Sequence, residues 1–189
     1  GFIGGVEGPV IGRFQAGFEK GVADAGKKLG KDIQITSTYA GTFADASKGR
    51  ALASSMYQAG ADIIYHAAAT TGQGIFQEAK ALNETGSKDK VWVIGVDRDQ
   101  NEDGKYTTKD GKDDNLTLAS TIKGVNIAVK KISDLALEDK FPGGEHLTYG
   151  LKDGGVDLTT EALSDQAKTA VKEAKEQIIS GDVKVPDQP

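Results

Sequence analysis

The chain has 189 residues, 38% of them hydrophobic, which is enough for one globular domain, or for one domain and part of another. A formal charge of -5, with lysines set beside Asp and Glu along the helices, excludes the basic face that a nucleic-acid backbone requires. The absence of cysteine excludes disulfides and thiolate metal sites, and no apolar run reaches the roughly 18 residues of a membrane span.

Gly1–Gly5 reads as the inside of a strand and carries no signal-peptide pattern, so the chain is expected to be part of a longer polypeptide. Phe2 and Ile3 are its buried residues. A helix follows, with Val10, Phe14, Phe18 and Val22 at four-residue spacing on one face, ended by Gly26 and Gly30. Ile33 and Ile35 alternate with polar neighbours in a strand predicted to run to Tyr39. Asp45 is placed to cap a second helix that carries Leu52, Met56 and Ala59 inward and stops at Gly60. Asp62–Tyr65 is the third strand and Gly72–Asn83 the third helix. Val91–Val96 is almost wholly apolar, as expected of a parallel strand buried on both faces. Leu116–Ser120 reads as the fifth strand, and a long helix then carries Val125, Val129, Ile132 and Leu135.

Residues 1–140 thus read as an α/β ligand-binding lobe, a parallel sheet with right-handed crossovers and helices on both faces. Residues 141–189 read differently. Phe141-Pro142-Gly143-Gly144 breaks the chain, two short strands are expected around Gly154 and Gly155, and Thr160–Ser180 forms a last helix before the tail. This part is expected to be a return crossing towards a second lobe, with His146 on an edge strand.

Ligands of an open parallel sheet bind beyond the carboxyl ends of its strands. The loops there are Gly4–Pro9, Tyr39–Asp45, His66–Gly74, Asp97–Gln100 and Ser120–Lys123. They supply the carboxylates of Asp45 and Asp97 for hydroxyl pairs, a lysine, glycines for close approach and rings for apolar faces, which is the equipment for a sugar-like ligand. His66 reads as a ligand contact or as a polar loop residue. Tyr65 and Phe43 read either as packing beneath the loops or as rings against the ligand.

Enzymatic readings find little footing. There is no Cys, no G-x-S-x-G turn and no phosphate-binding G-x-x-x-x-G-K-[ST] loop, and the histidines are His66 and His146 alone. Gly72-Gln73-Gly74 with Asp97 on the next strand resembles a dinucleotide fingerprint, but Gln77 replaces its third glycine and no cofactor is expected. Asp99-Gln100-Asn101-Glu102-Asp103-Gly104 fits the start of a calcium loop. Its twelfth position is Asp110, and a strand precedes it, so a charged solvated insertion is expected rather than a metal site.

Several runs together resemble a known family. These are Gly4-Gly5, Phe14-x-x-Gly17-Phe18-x-x-Gly21, Tyr39-Ala-Gly-Thr-Phe43-x-Asp45 and Gly60-Ala-Asp62-Ile-Ile64. They continue with Thr71-Gly72-x-Gly74, Gly95-Val-Asp97-x-Asp99-Gln100, Ser120-x-x-Lys123 and Tyr149–Gly155. The pattern resembles the basic membrane protein family, nucleoside-binding lipoproteins of ABC importers of the purine nucleoside receptor type. The resemblance implies one lobe, largely the C-terminal one, of a type I periplasmic-binding-protein fold, with a nucleoside in the cleft between two lobes. It implies ribose hydroxyls held by the Asp97 carboxylate and the Lys123 ammonium, assisted by backbone near Thr71 and Gly72. It also implies transporter permease subunits as partners, an extracytoplasmic location and a lipid anchor outside this chain. The runner-up expectation is the effector-binding core of a transcription regulator of the same architecture.

Overall fold

A computed structural model describes residues 1–86 and 89–189. In chain order the elements begin with β1 (Phe2–Gly4), α1 (Pro9–Leu29), β2 (Ser37–Tyr39), α2 (Ala46–Gln58), β3 (Ile63–Ala67), α3 (Thr71–Thr85) and β4 (Trp92–Gly95). They continue with β5 (Lys105–Thr107), β6 (Asp113–Asn115), β7 (Thr117–Lys123), α4 (Val125–Leu137), β8 (Val156–Leu158) and α5 (Asp165–Ser180).

The strands β2-β1-β3-β4-β7-β8 form one six-stranded sheet in that order. Every neighbouring pair is parallel except β7 with β8. The chain leaves β1 first to one side, for β2, and then to the other, for β3. That reversal opens a crevice at the carboxyl ends of the strands. Successive side chains of a strand point to opposite faces, and two clusters follow. Ile3, Ile64 and Val93 pack with Met56, Tyr57, Ile75 and Phe76 under α2 and α3. Phe2, Tyr65 and Ala67 pack with Phe14, Phe18 and Ile94 under α1. The expected α/β architecture, mostly parallel with helices on both faces, is present.

Several boundaries differ from expectation. The second strand begins at Ser37, paired with Phe2, rather than at Ile33, which stays exposed. Val10 leaves the apolar face of α1 and is 69% exposed. The third strand runs on to Ala67, so His66 lies within it rather than at its end. The insertion before the fifth parallel strand folds as the hairpin β5–β6, which strand alternation did not announce. That fifth strand, β7, extends to Lys123, so Ser120–Lys123 is strand and not loop.

The last segment differs most. A single strand, β8, follows a 3-10 turn at Leu151–Asp153, and His146 stands on irregular chain rather than an edge strand. The final helix starts at Asp165, where Ser164 caps it by accepting from the Ala167 N–H. This helix reaches α1 through Lys28 and Glu173 at 2.9 Å. By contrast α4 has no buried residue, and its Val125 and Val129 are exposed.

A polar knot secures the hairpin at the amino end of β4. Lys90 Nζ lies 2.7 Å from Asp114 Oδ1 and 4.0 Å from the centre of the Trp92 ring, while the Tyr106 hydroxyl donates to Asp114 Oδ2 at 2.7 Å. Burial, and then the Asp114 carboxylate, push the Tyr106 hydroxyl well above its usual range. This knot lies at the end of the sheet away from the crevice.

Candidate functional site

The crevice end of β4 and the end of β7 meet through two side chains. Asp97 lies two residues past the end of β4 and adopts φ 68°, a left-handed conformation that Asp tolerates better than most residues. Its backbone carbonyl accepts from the Lys123 N–H at 2.9 Å, and its Oδ1 lies 2.7 Å from Lys123 Nζ. The two side chains are 44% and 54% exposed, so the pair is open to an arriving ligand and contributes little to stability. Beside it lies a polar recess of about 330 Å³, whose walls include His66, Thr70, Gln73 and Arg98 as well as the pair.

His66 forms the rear of that recess and is fully buried. Its Nε2 is 3.0 Å from Gln100 Oε1, an oxygen that can only accept, so Nε2 carries the proton. Nδ1 is then a bare acceptor, and it has no hydrogen-bond partner among the described residues. Burial drives the imidazole pKa down to about 4, against a smaller raising effect of the Gln100 bond. His66 therefore stays neutral when folded, whereas the unfolded chain binds a proton near the usual 6.5. Stability is full above about pH 6.5 and falls as the pH drops through this window, by about 1 kcal/mol between pH 7 and 5.5. Urea unfolding at the two pH values measures this loss. His66→Gln should remove that part of the slope, and an unchanged slope would assign it to another group.

A second group of predicted residues belongs to the loop after β2. The Phe43 ring is 39% exposed and lies against Gly5. The Thr71 hydroxyl donates to Thr42 O at 3.2 Å and accepts from the Asp45 N–H at 3.0 Å, while the Thr71 N–H donates to Phe43 O. Thr71 is fully buried and so supports the loop that presents Phe43. Asp45 caps α2 as expected, its carboxylate accepting from the Lys48 N–H at 2.9 Å. The Gly72 N–H donates to Ala69 O, and a Cβ at Gly72 would run into the His66 ring.

Tyr65 faces the other side of the sheet. Its hydroxyl is 3.1 Å from Thr121 Oγ1, and burial pushes its pKa up to about 12. It lines an apolar hollow of about 520 Å³ between α1, α5 and the sheet, which meets the polar recess at Asp97 and Lys123. Of the eight residues singled out from the sequence, the recess thus brings together Asp97, Lys123 and His66. Arg98, Gln73 and Thr70 are added by the fold, and Gln100 stands behind them within the motif Gly95–Gln100.

The acidic run after Asp97 is committed internally. Asp103 Oδ2 accepts from Arg98 at 2.7 Å and from Gln100 at 2.9 Å, Asp99 Oδ1 accepts from the Asn101 N–H, and Asp110 stands at the far turn of the β5–β6 hairpin. Among the described residues, no three His, Asp or Glu side chains are grouped to hold a metal ion.

The family model described as "ABC transporter substrate-binding protein PnrA-like" (Bmp) matches residues 1–189. The chain is 49% identical over 189 residues to the "ABC transporter nucleoside-binding protein BmpA" of Lactococcus lactis, covering 100% of this chain and 53% of that protein. Among solved structures, an ABC transporter solute-binding protein from Aeropyrum pernix K1 superposes with a TM-score of 0.81 at 26% identity, covering 98% of this chain and 57% of the other. A transcriptional activator of the comK gene from Bacillus halodurans superposes with a TM-score of 0.72 at 19% identity, over 96% of this chain and 56% of the other. This last likeness shows the fold alone. The chain spans about half the length of the curated relatives it matches. No helix among the described residues is long and apolar enough to cross a membrane. With its whole length matched by the family model and half its residues shared with one curated relative, the chain belongs to the Bmp family of PnrA-like ABC transporter substrate-binding proteins.

Proposed function

We propose that the chain is the larger part of one lobe, the C-terminal one, of an extracytoplasmic receptor that captures a nucleoside for an ABC importer. The observation that carries this reading is the Asp97–Lys123 pair at 2.7 Å, open beside a polar recess at the carboxyl ends of the strands. A ribose offers two adjacent hydroxyls. The Asp97 carboxylate accepts from both, and the Lys123 ammonium donates to one of their oxygens. Such charge-assisted bonds are the strong ones. The exposed Phe43 ring supplies a face for the base, since a ring stacks on any base regardless of its edge pattern. The 49% identity to a protein named as nucleoside-binding favours this ligand over a free sugar, and a purine nucleoside is the favoured member of the class.

Binding needs no covalent step. The recess has one wall in this chain, and the opposite wall belongs to a second lobe, in line with relatives about twice as long. The bare face of α4, with Val125 and Val129 exposed, and the exposed Phe141 fit a return crossing over residues 141–189 that packs on that lobe. Closure of the two lobes on the nucleoside then presents the receptor to permease subunits. A lipid anchor outside this chain holds it at the membrane surface.

Calorimetry tests the reading directly. The full-length polypeptide should bind ribonucleosides, and the 189-residue chain alone should bind them weakly or undetectably, because ligands of this kind lose most of their surface between two walls. Micromolar or tighter binding by the chain alone would overturn the two-lobe model. Binding of no ribonucleoside by the full-length polypeptide would overturn the ligand assignment.

A further inference from the structure

Asp97 holds a backbone conformation that costs a non-glycine residue of order 1–3 kcal/mol unless the surroundings impose it. The question is what imposes it. The Lys123 ion pair is half exposed and too weak for the task. The backbone bond from the Lys123 N–H fixes only the carbonyl of Asp97.

Three residues further on, Gln100 is 6% exposed, and each of its polar groups is bonded. Its Oε1 accepts from the Val96 N–H at 2.8 Å and from His66 Nε2–H at 3.0 Å. Its Nε2 donates to Asp103 Oδ2 at 2.9 Å. Its backbone N–H donates to Ser120 Oγ, and its carbonyl accepts from Thr117 Oγ1 and from the Asp103 N–H, each at 3.0 Å. One amide side chain and its peptide groups thus tie β3, the end of β4, the acidic turn and β7 together. At Gly95 a Cβ would fall 2.8 Å from Gln100 Oε1 and 2.9 Å from its Cβ, so the strand is stripped to glycine where this side chain crosses it.

We infer that Gln100 is the positioning residue of the site: its buried amide locks the Val96–Arg98 turn, so that Asp97 is held in the left-handed conformation with its carboxylate beside Lys123. The amide is suited to this because the turn needs an acceptor on one side, for Val96 and His66, and a donor on the other, for Asp103. A carboxylate offers no donor and a hydrocarbon neither. His66, neutral with its proton on Nε2, is the fixed donor that orients the amide. The assignment rests on the proposed role of Asp97 in binding, and the test has one arm that does not.

The isosteric Gln100→Glu and the apolar Gln100→Leu are compared with the natural sequence. The groups facing position 100 are Asp103, His66, Asp97, Arg98 and Lys123. At pH 8.5 the carboxylate introduced by Gln100→Glu is ionised and confronts the Asp103 carboxylate, and the turn should open. At pH 6 the same group, once protonated, again donates to Asp103 while its other oxygen accepts from Val96 and His66, and the turn should close. The Asp97 13Cα and 13Cβ shifts, read by NMR on this chain, should leave left-handed values in Gln100→Glu at pH 8.5 and return at pH 6. In the full-length polypeptide, adenosine affinity should fall about tenfold in Gln100→Glu at pH 8.5, recover to within about twofold at pH 6, and stay low in Gln100→Leu at both pH values. In an Asp97→Ala background the Gln100 effect on affinity should vanish. If Gln100→Glu lowers the melting temperature but leaves the Asp97 shifts and the affinity per folded molecule unchanged at pH 8.5, Gln100 is only structural and the inference fails. Should the natural polypeptide bind no nucleoside, the ligand assignment fails instead, and the Asp97 shifts still decide what Gln100 does.

Discussion

Asp97→Ala in the full-length polypeptide should weaken ribonucleoside binding roughly tenfold to a hundredfold, with the lobe still folded. A hydrogen bond to a charged group contributes about 1.5–3 kcal/mol net, and that range corresponds to the stated loss of affinity. The side chain is 44% exposed and its ion pair with Lys123 is solvated, so stability has little to lose by its removal. Replacing Asp by Ala at φ 68° does add some strain to the turn, and Asp97→Asn, which keeps the left-handed preference, is the matched control. Deoxyribonucleosides should bind the natural protein less well and lose less when Asp97 is replaced, because they offer fewer of the bonds in question. The two ligand classes titrated into natural and variant proteins form a cycle, and its coupling energy is the readout. Equal losses for both classes would remove Asp97 from the sugar site.

Much of this architecture is legible in the residues themselves. The apolar run Val91–Val96 forms a central strand, with Val93 and Gly95 buried on one face and Trp92 and Ile94 half-buried on the other, and Gly30, Asp45 and Gly60 punctuate the helices where they end or begin. Asp97 stands out because a lone carboxylate ends the most apolar strand. What escaped were features fixed by partners distant in sequence. Residues 33–36 alternate as a strand does, yet pairing starts only at Ser37 and Ile33 stays exposed. The β5–β6 hairpin consists largely of charged and polar residues, and it is held by Lys90 and Tyr106 around Asp114, a convergence that no periodicity reveals. From the sequence His66 reads as a ligand contact or a polar loop residue because hydropathy sees a polar side chain, whereas the sheet provides it with Gln100 and a buried place in β3. Tyr65 and His66 are adjacent and so must face opposite sides of the sheet. Only one of them can line the polar recess.

Gly72→Ala should lower stability by about 2–3 kcal/mol, the upper part of the usual range for overpacking a core. An added Cβ would lie 2.2 Å from both Cε1 and Nδ1 of the His66 ring. The ring has nowhere to go. Phe76 meets it edge-on with centroids 5.8 Å apart, and Gln100 holds its Nε2 at 3.0 Å. Nothing about the backbone of Gly72 itself demands glycine, since it lies in the first turn of α3. The requirement is one of space, and that makes it testable. In a His66→Ala background the ring is gone, and Gly72→Ala should cost almost nothing. The double variant should then be more stable than the sum of the single losses predicts, by most of the Gly72→Ala effect. Urea unfolding of the four proteins, with m-values compared to verify a common two-state transition, supplies the numbers. Additive losses would mean that α3 shifts to accept the methyl group, and that the contact between Gly72 and His66 does not set how the helix meets the sheet behind the recess.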